Sequence, residues 1–355
     1  GQPIHYITHQ SDVEKGSQYG YLAFVSCDNV TVTGATTEPN GEGLLLVDVH
    51  DFSIQQGTFT RSRVGAVLFA SSHGTIASTN CSGNTDDGIS MTRGTHNISI
   101  TGCTITGNGQ RGINLYHSTG GAGHISISDS HVMDNWLGVN IENTQANIIE
   151  NLTLSGHQDV AIRLYKSDNT SIGNVTLHDN AGGLEILRST ATLHEVAAHH
   201  HDTAIMITDG TVVMHGGTLH DNNVGITATR TTVTVTDAAL NTHMTGVMAD
   251  NATLSIAATS FQDNERALHA VSSTVTVDGC LIANNTYGIQ LNHVNGSRIV
   301  NCTDDASIAN NTYGITIDDS AGVTVANCSF SDNDNTLMVT ASTGTTVDAC
   351  LAFNN

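Results

Sequence analysis

The sequence predicts an all-β fold: a single right-handed parallel β-helix of about 15 coils, with three short strands in each coil. Three observations predict it. A small residue returns every 21–26 residues, alternating apolar positions follow it, and the same turn residues recur from coil to coil.

The marker residue stands at positions 20, 43, 65, 88, 112, 138, 161, 183, 204, 225, 246, 267, 288, 314 and 337, with a constant spacing of 21 between 183 and 288. Gly88-Ile89-Ser90-Met91, Gly112-Ile113-Asn114-Leu115, Gly138-Val139-Asn140-Ile141 and Gly314-Ile315-Thr316-Ile317 show the first strand of the coil. A second alternating run follows, as in Ile98-Ser99-Ile100, Val233-Thr234-Val235 and Val275-Thr276-Val277. A third and shorter one comes next, as in Cys103-Thr104-Ile105, and a polar turn closes the coil. Period-2 alternation in three short runs per turn is the sequence form of a β-solenoid. An antiparallel sandwich would alternate too, but it would not repeat one turn residue at one spacing.

That turn residue is asparagine, three positions before the marker at Asn135, Asn180, Asn222, Asn264, Asn285 and Asn311. Stacked turns place such amides about 4.8 Å apart, where they can bond as a ladder, and fifteen coils make a rod of about 70 Å. The repeat divides the chain into residues 1–18, an irregular N-terminal segment or docking arm, and residues 19–355, the β-helix.

Composition narrows the function. The chain has 33 acidic residues against 11 basic ones, a net charge of −22. Phosphate binding needs clustered Lys and Arg, so nucleic acid is not expected as a partner. No apolar run approaches the roughly 18 residues that span a bilayer, so membrane insertion is not expected either. The charge favours a wet, exposed setting and divalent cations.

Twelve Asn-x-Ser/Thr sequons stand at Asn29, Asn80, Asn97, Asn151, Asn169, Asn174, Asn251, Asn284, Asn295, Asn301, Asn310 and Asn327. They are consistent with a glycosylated extracellular protein. A chain this rich in Asn, Ser and Thr also generates sequons by chance.

Segments such as Asn284-Asn285-Thr286-Tyr287-Gly288-Ile289 and Asn327-Cys328-Ser329-Phe330-Ser331-Asp332-Asn333 resemble parallel β-helix repeats of the NosD-like and pectin-lyase-like class. The resemblance covers residues 19–355 and implies the fold. It leaves activity open, because the class includes lyases, hydrolases, epimerases, adhesins, spikes and surface-layer proteins. The acidic, Asn- and Thr-rich version is similar to archaeal cell-surface and sheath repeat proteins, including those of methanogens.

A solenoid exposes strand edges at both ends, and Cys350-Leu351-Ala352-Phe353-Asn354-Asn355 matches the internal segment Cys280-Leu281-Ile282-Ala283-Asn284-Asn285. Either the sequence is a fragment of a longer chain, or the open end pairs with a second copy by strand addition. The expected partner is therefore the chain itself, in a homopolymer through coil ends or lateral contacts.

Cys280, Cys302, Cys328 and Cys350 follow their markers by 13 or 14 residues and form one column, with Cys81 and Cys103 close to it in earlier coils. They read as buried apolar filler or as disulfides between neighbouring coils, with Cys27 left for a partner chain. His178, His199 and His220 share a turn position, and His199-His200-His201-Asp202 adds imidazoles there. Those histidines are weak candidates for a transition metal, and the NosD-like resemblance makes copper an option; a solvent-facing ladder is the alternative. No cofactor is required. The acidic pairs Asp304-Asp305 and Asp318-Asp319 could hold Ca²⁺ weakly or serve as solvated turns.

Asn84-Thr85-Asp86-Asp87-Gly88 resembles the Asn-Thr-Asp element of polygalacturonases, which makes Asp86 and Asp87 the candidate catalytic pair. The rest departs from that family: no second Asp-Asp and no Gly-His-Gly follow, His73-Gly74 comes before, and Arg163-Leu164-Tyr165-Lys166 is a loose echo of Arg-Ile-Lys. Asp at a turn also has a backbone reason. The leading expectation is thus a non-enzymatic extracellular structural protein, a building block of a cell-surface layer, sheath or fibre. The alternative is a carbohydrate-active β-helix enzyme (lyase, glycosidase or epimerase) or a glycan-binding module.

Overall fold

The computed structural model describes residues 2–116, 123–303 and 307–354. It is all-β, a parallel β-solenoid of about fifteen turns with no helix among the described residues. The chain forms two compact units, Gly1–Ala181 and Gly182–Asn355.

The second unit shows the plan of a coil most simply. Strands Val224–Thr229, Thr232–Thr236 and Ala239–Asn241 make one turn. Each pairs in parallel with its counterpart 21 residues on: Ile226 with Val247, Val233 with Leu254, and Leu240 with Phe261. Residues with left-handed backbone stand between the strands. Asp209, Gly216 and Asp221 are followed one coil later by Arg230, Asp237 and Thr242, then by Asn251, Ala258 and Asp263. Asn, Asp and Gly tolerate positive φ better than other residues, so these corners account for much of the Asn and Asp in the composition. Between corners, alternate side chains point inward, and Ile226, Val233, Val235 and Leu240 are almost fully buried.

The first unit repeats the plan with longer coils, for example Arg111–Tyr116, Ile125–Ser128 and His131–Met133. The small marker has a steric cause here. A Cβ on Gly88 would lie 2.6 Å from the Gly112 carbonyl oxygen and 2.9 Å from Asn108 Nδ2. The N-terminal segment, expected to be irregular, instead forms strands Ile4–Thr8 and Ser11–Lys15, which pair in parallel with Tyr21–Thr33. Ile7 and Val13 point inward there, so the coil pattern persists without its glycine marker.

The inward turn residues form buried columns of hydrogen bonds. In the second unit the backbone N–H groups of Asn264, Asn285 and Asn311 donate to Oδ1 of Asn285, Asn311 and Asn333, at 2.9–3.0 Å. Their side-chain Nδ2 groups donate to the Leu240, Phe261 and Ile282 carbonyls at 2.9–3.1 Å. In the first unit the Asn84 and Asn108 N–H groups donate in the same way to Oδ1 of Asn108 and Asn135, and Asn180 Oδ1 accepts from the His157 N–H. Asn84, Asn108 and Asn333 belong to the columns although they stand four residues before their markers rather than three.

Histidine replaces asparagine at three places in these columns, His157, His201 and His243, all buried. His157 Nδ1 accepts from the Asn135 N–H at 3.2 Å, and His243 Nδ1 accepts from the Asn222 N–H at 3.3 Å. His243 Nε2 faces the Leu219 carbonyl at 3.1 Å. Nδ1 thus stands in for the amide oxygen in both rings, and in His243 Nε2–H stands in for the amide nitrogen. Both need the neutral ring, and burial pushes His157 down to about 4 from an ordinary 6.5.

A histidine with a depressed folded pKa binds its proton more readily in the unfolded chain. Its stabilising contribution is therefore complete above 6.5 and is lost as pH falls toward about 4. The substitution His157→Asn installs the residue used in neighbouring coils and removes this loss. Denaturation midpoints of the parent and variant should agree at pH 8 and separate below pH 6.5, with the variant more stable. Parallel pH dependence would refute this role for His157.

Candidate functional site

The outer face of the first strand in four successive coils of the first unit carries a hydrogen-bonded polar cluster. Its strands are Ile89–Thr92, Arg111–Tyr116, Leu137–Glu142 and Val160–Tyr165. Alternation sends Ile113, Leu115, Val139 and Ile141 into the core and places Ser90, Asn114, Asn140 and Arg163 in one outward column. Thr92, Tyr116, Glu142 and Tyr165 form the next outward column.

Asp86 and Asp87, the pair expected at the turn, part company here. Asp86 turns toward the surface, where its Oδ2 meets Arg63 at 3.0 Å, and Arg63 reaches Glu42 at 2.8 Å. Asp87 is buried, with 6% of its surface exposed. Its Oδ1 accepts the Arg111 backbone N–H at 3.2 Å and faces the Arg111 guanidinium at 3.6 Å. Its Oδ2 accepts from Asn114 Nδ2 at 3.1 Å, and Asn114 Oδ1 accepts from Asn140 Nδ2 at 3.0 Å. One coil further, Arg163 in the same column bonds Asp159 at 3.0 Å. A chain of fixed donors and acceptors therefore crosses the coils from Asp87 to Asn140.

Burial raises the Asp87 carboxyl above its ordinary 3.8, against the opposing pull of Arg111 and the hydrogen bonds from Asn114 and the Arg111 backbone. Desolvation outweighs an adjacent cation, which marks this as a dry site on an otherwise wet face.

Aromatic side chains border the network. Phe69, Tyr116 and Trp136 are 37%, 38% and 43% exposed, and among the described residues they are the exposed aromatics between the first and last coils. Trp136 lies on the line of Asp86, Gln110 and Asp159, whose backbones bond from coil to coil. Lys166 sits 4.9 Å over the Tyr165 ring, and Arg93 sits 5.6 Å over Phe69.

The remaining sequence candidates fall elsewhere. Cys27, expected to be free for a partner chain, is buried opposite Val49, with its thiol toward the Ile7 carbonyl. Its strand is covered by the N-terminal strands, so it does not face outward. Cys81 and Cys103 do not share a column. Asn80 pairs with Thr104, so Cys81 aligns with Ile105 and Cys103 with Thr79. Cys280, Cys302, Cys328 and Cys350 do share one, and no thiols are linked.

His199 and His220 stack at 4.8 Å in the second unit, and His199 Nδ1 lies 3.3 Å from His200 Nδ1. His178 and His220 bond their neighbours Asp179 and Asp221, each at 2.8 Å. His201 is not on this surface, because it occupies the inward asparagine column. Among the described residues no three His, Cys, Asp or Glu side chains are arranged to hold a metal ion. Asp319 pairs with His293 at 3.0 Å, and Asp304-Asp305 lies outside the described residues.

Of the sequon asparagines, Asn29, Asn97, Asn151, Asn169, Asn174, Asn251, Asn284, Asn301, Asn310 and Asn327 occupy left-handed corners. Asn80 and Asn295 instead form bridges to other coils.

Sequence reasoning found Asp86 and Asp87, noted Arg163 only as a loose echo of a motif, and missed Arg111, Asn114, Asn140 and the aromatic border. A signal was present: Asn114 and Asn140 hold outward positions that are Ser90 or Thr316 in equivalent strands.

Stacked parallel coils with inward Ile, Leu and Val and corners repeated from coil to coil define a right-handed parallel β-helix. Comparison with known families agrees. The chain belongs to the right-handed β-helix family, whose model (right handed beta helix region) matches residues 6–151, 137–304 and 224–355.

Among solved structures, the A-module of a mannuronan C-5 epimerase of Azotobacter vinelandii is 12% identical, with 95% of this chain and 91% of that chain covered and a TM-score of 0.49. A pectate lyase is 12% identical over 59% of this chain and 68% of that one, with a TM-score of 0.39. A surface adhesin of Streptococcus pneumoniae is 10% identical over 92% and 82%, with a TM-score of 0.40. No curated protein matches the sequence. Among the described residues no helix is long and apolar enough to cross a membrane.

Carboxyl ¹³C NMR should show Asp87 titrating above 3.8. Arg111→Gln removes the cation that opposes burial, so it should raise that value further. Because the folded value lies above the unfolded one, protonated Asp87 stabilises the fold below pH 3.8, and this is lost as pH rises through the folded value. An Asp87 midpoint at or below 3.8 would remove the argument for a dry site.

Proposed function

We propose that this protein is an extracellular glycan-binding β-helix protein whose binding face is the outer surface around Asp87, Asn114 and Asn140. The observation that carries this reading is a buried carboxyl in the turn before Ile89–Thr92, joined by hydrogen bonds to amides on the outer face of the next two coils. Proteins retain such a group against its desolvation cost chiefly where a ligand uses it. Side-by-side amide and carboxylate groups suit the paired hydroxyls of a sugar, and exposed rings suit the apolar face of a pyranose. Successive coils repeat the contact every 4.8 Å or so, a row fitted to a polymer lying along the coils.

Binding is favoured over hydrolysis on the state of the carboxylates. Cleavage needs two carboxyl groups facing one glycosidic bond. Asp86 is tied to Arg63 and Asp159 to Arg163, so neither stands free opposite Asp87.

Trp136 is the only tryptophan of the chain, so its fluorescence reports on this face alone. Titration with a panel of neutral and acidic polysaccharides should give a saturable change in Trp136 emission with at least one of them, and no new reducing ends. Asp87→Asn should weaken that binding about tenfold, or about 1.4 kcal/mol. A panel that leaves the emission unchanged throughout would overturn the reading.

A second reading, an extracellular building block that assembles into a layer or fibre, is favoured by the regularity of the second unit. Its coils keep a 21-residue pitch from Gly183 to Gly288 without an inserted loop, and the asparagine column binds each coil to the next. On this reading electron microscopy of the purified chain shows filaments or sheets that grow with concentration. Single particles at every concentration would remove it.

A further inference from the structure

Four cysteines of the second unit stand in register. Asp278 pairs with Val300, Val300 with Ala326 and Ala326 with Asp348, and a cysteine follows each two residues later. Cys280, Cys302 and Cys328 are fully buried, and Cys350 is partly exposed. Packing alone does not require sulfur at this place, since Ala238 and Thr259 fill the equivalent position in the two preceding coils.

The four thiols are not equivalent. The Cys280, Cys328 and Cys350 thiols each donate to a carbonyl of the preceding coil and to one of their own, whereas among the described residues the Cys302 thiol donates to the Val300 carbonyl alone, at 3.5 Å. Cys302 and Cys328, in adjacent coils, stand close enough for each to shift the other's titration. Their coils are joined by a short backbone bond, from the Ser329 N–H to the Cys302 carbonyl at 2.7 Å. Neighbouring parallel strands lie about 4.8 Å apart, inside the Cα separation that a disulfide bridges.

We propose that Cys302 and Cys328 are an oxidisable pair that closes to a disulfide between adjacent coils, with a hydroperoxide as oxidant. The neighbouring Cys302 and Cys350 thiols lower Cys328 to about 7 and Cys328 raises Cys302, whereas burial pushes Cys280 up to about 11. Cys328 is therefore the sulfur that reaches the thiolate form at neutral pH, the form that reacts. Its thiolate attacks one peroxide oxygen, the O–O bond breaks, and hydroxide leaves to give a sulfenic acid. The Cys302 sulfur then attacks the Cys328 sulfur, the S–O bond breaks, and the departing oxygen takes up the Cys302 proton. Two thiols and one hydrogen peroxide become one disulfide and two waters. The link encloses one whole coil and restricts the unfolded chain accordingly.

The test uses the full chain treated with a small excess of hydrogen peroxide. Intact mass should fall by two hydrogens, and peptide mapping without reductant should join the Cys302 and Cys328 peptides. The thermal midpoint should rise by a few degrees and return on addition of a thiol reductant. Cys280→Thr, which copies the residue at position 259, should keep the link. Cys302→Thr should abolish it and leave a sulfenic acid on Cys328 that dimedone traps. Seven reactive thiols in denaturant after peroxide treatment, or a link through Cys280 or Cys350, would overturn the proposal. Mapping of the unsubstituted chain decides the matter even where a variant fails to fold.

Discussion

A coil of 21 residues must turn three times within a narrow cross-section, and the backbone N–H groups of one corner then face a dry interior. Each inward asparagine accepts the N–H of the residue at the same corner one coil before and sends its own Nδ2 to a carbonyl of an adjacent coil, as Asn285 does between Asn264, Phe261 and Asn311. A buried N–H left without such an acceptor costs about 1–3 kcal/mol, so the column is a condition of stacking. The small marker, the fixed pitch and the inward alternation of Ile and Val all serve a geometry in which that column can form. His243 shows how narrow the requirement is. An imidazole substitutes only because its two nitrogens copy the acceptor and the donor of the amide at nearly the same places.

A frame that settles its polar groups so completely makes exceptions conspicuous. The outward column of the first strands in the second unit carries Glu185, Met206, Thr227, Met248, His269, Gln290 and Thr316, a mixture in which no amide repeats from one coil to the next. In the first unit the corresponding column carries Asn114 and Asn140, both 6% exposed, and ends in a carboxyl whose burial outweighs its pairing with Arg111. Folding does not need this arrangement, since serine at position 90 serves one coil away. Local rules broken without structural gain are where a ligand contact is expected.

The fold was legible from the sequence because a solenoid writes its period directly into the chain. Positions 183 to 288 alone fix the coil length, and the Gly-Ile-x-Leu segments fix which face is inward. Coils with one extra turn residue were harder. Asn84 and Asn108 sit one place further from their markers than Asn135, which hides them from a search at fixed offset. His157, His201 and His243 were hidden by chemistry, because histidine reads as a surface or metal-binding group until its ring is seen in place of an amide. The site was half legible. Asp87 could be named from its motif, but Arg111, Asn114 and Asn140 lie 24, 27 and 53 residues away and meet it only through coil stacking. Cys103 bonds the carbonyls of its own and the preceding coil as Cys280 does, whereas Cys81 was misplaced because it takes the next inward position, opposite Ile105.

Backbone geometry also changes how the composition is understood. Left-handed corners are taken by Asp129, Asp134, Asp179, Asp209, Asp221, Asp237 and Asp263, and by most of the sequon asparagines. A corner Asn followed by an inward apolar residue and an outward Ser or Thr is an Asn-x-Ser/Thr sequence by construction, as at Asn251-Ala252-Thr253 and Asn327-Cys328-Ser329. Several of these amides already have partners: Asn327 Nδ2 donates to Asn301 Oδ1 at 2.9 Å, and Asn301 Nδ2 donates to Asp278 at 2.8 Å. Stacking would set like charges one above another, and the chain offsets this by alternating sign. Arg230 grips Asp209 from the next coil at 2.8 Å and holds its carboxyl below the usual range. A net charge of −22 therefore follows in large part from residues chosen for positive φ, and neither the acidity nor the sequon count is independent evidence of a bound cation or a glycan coat.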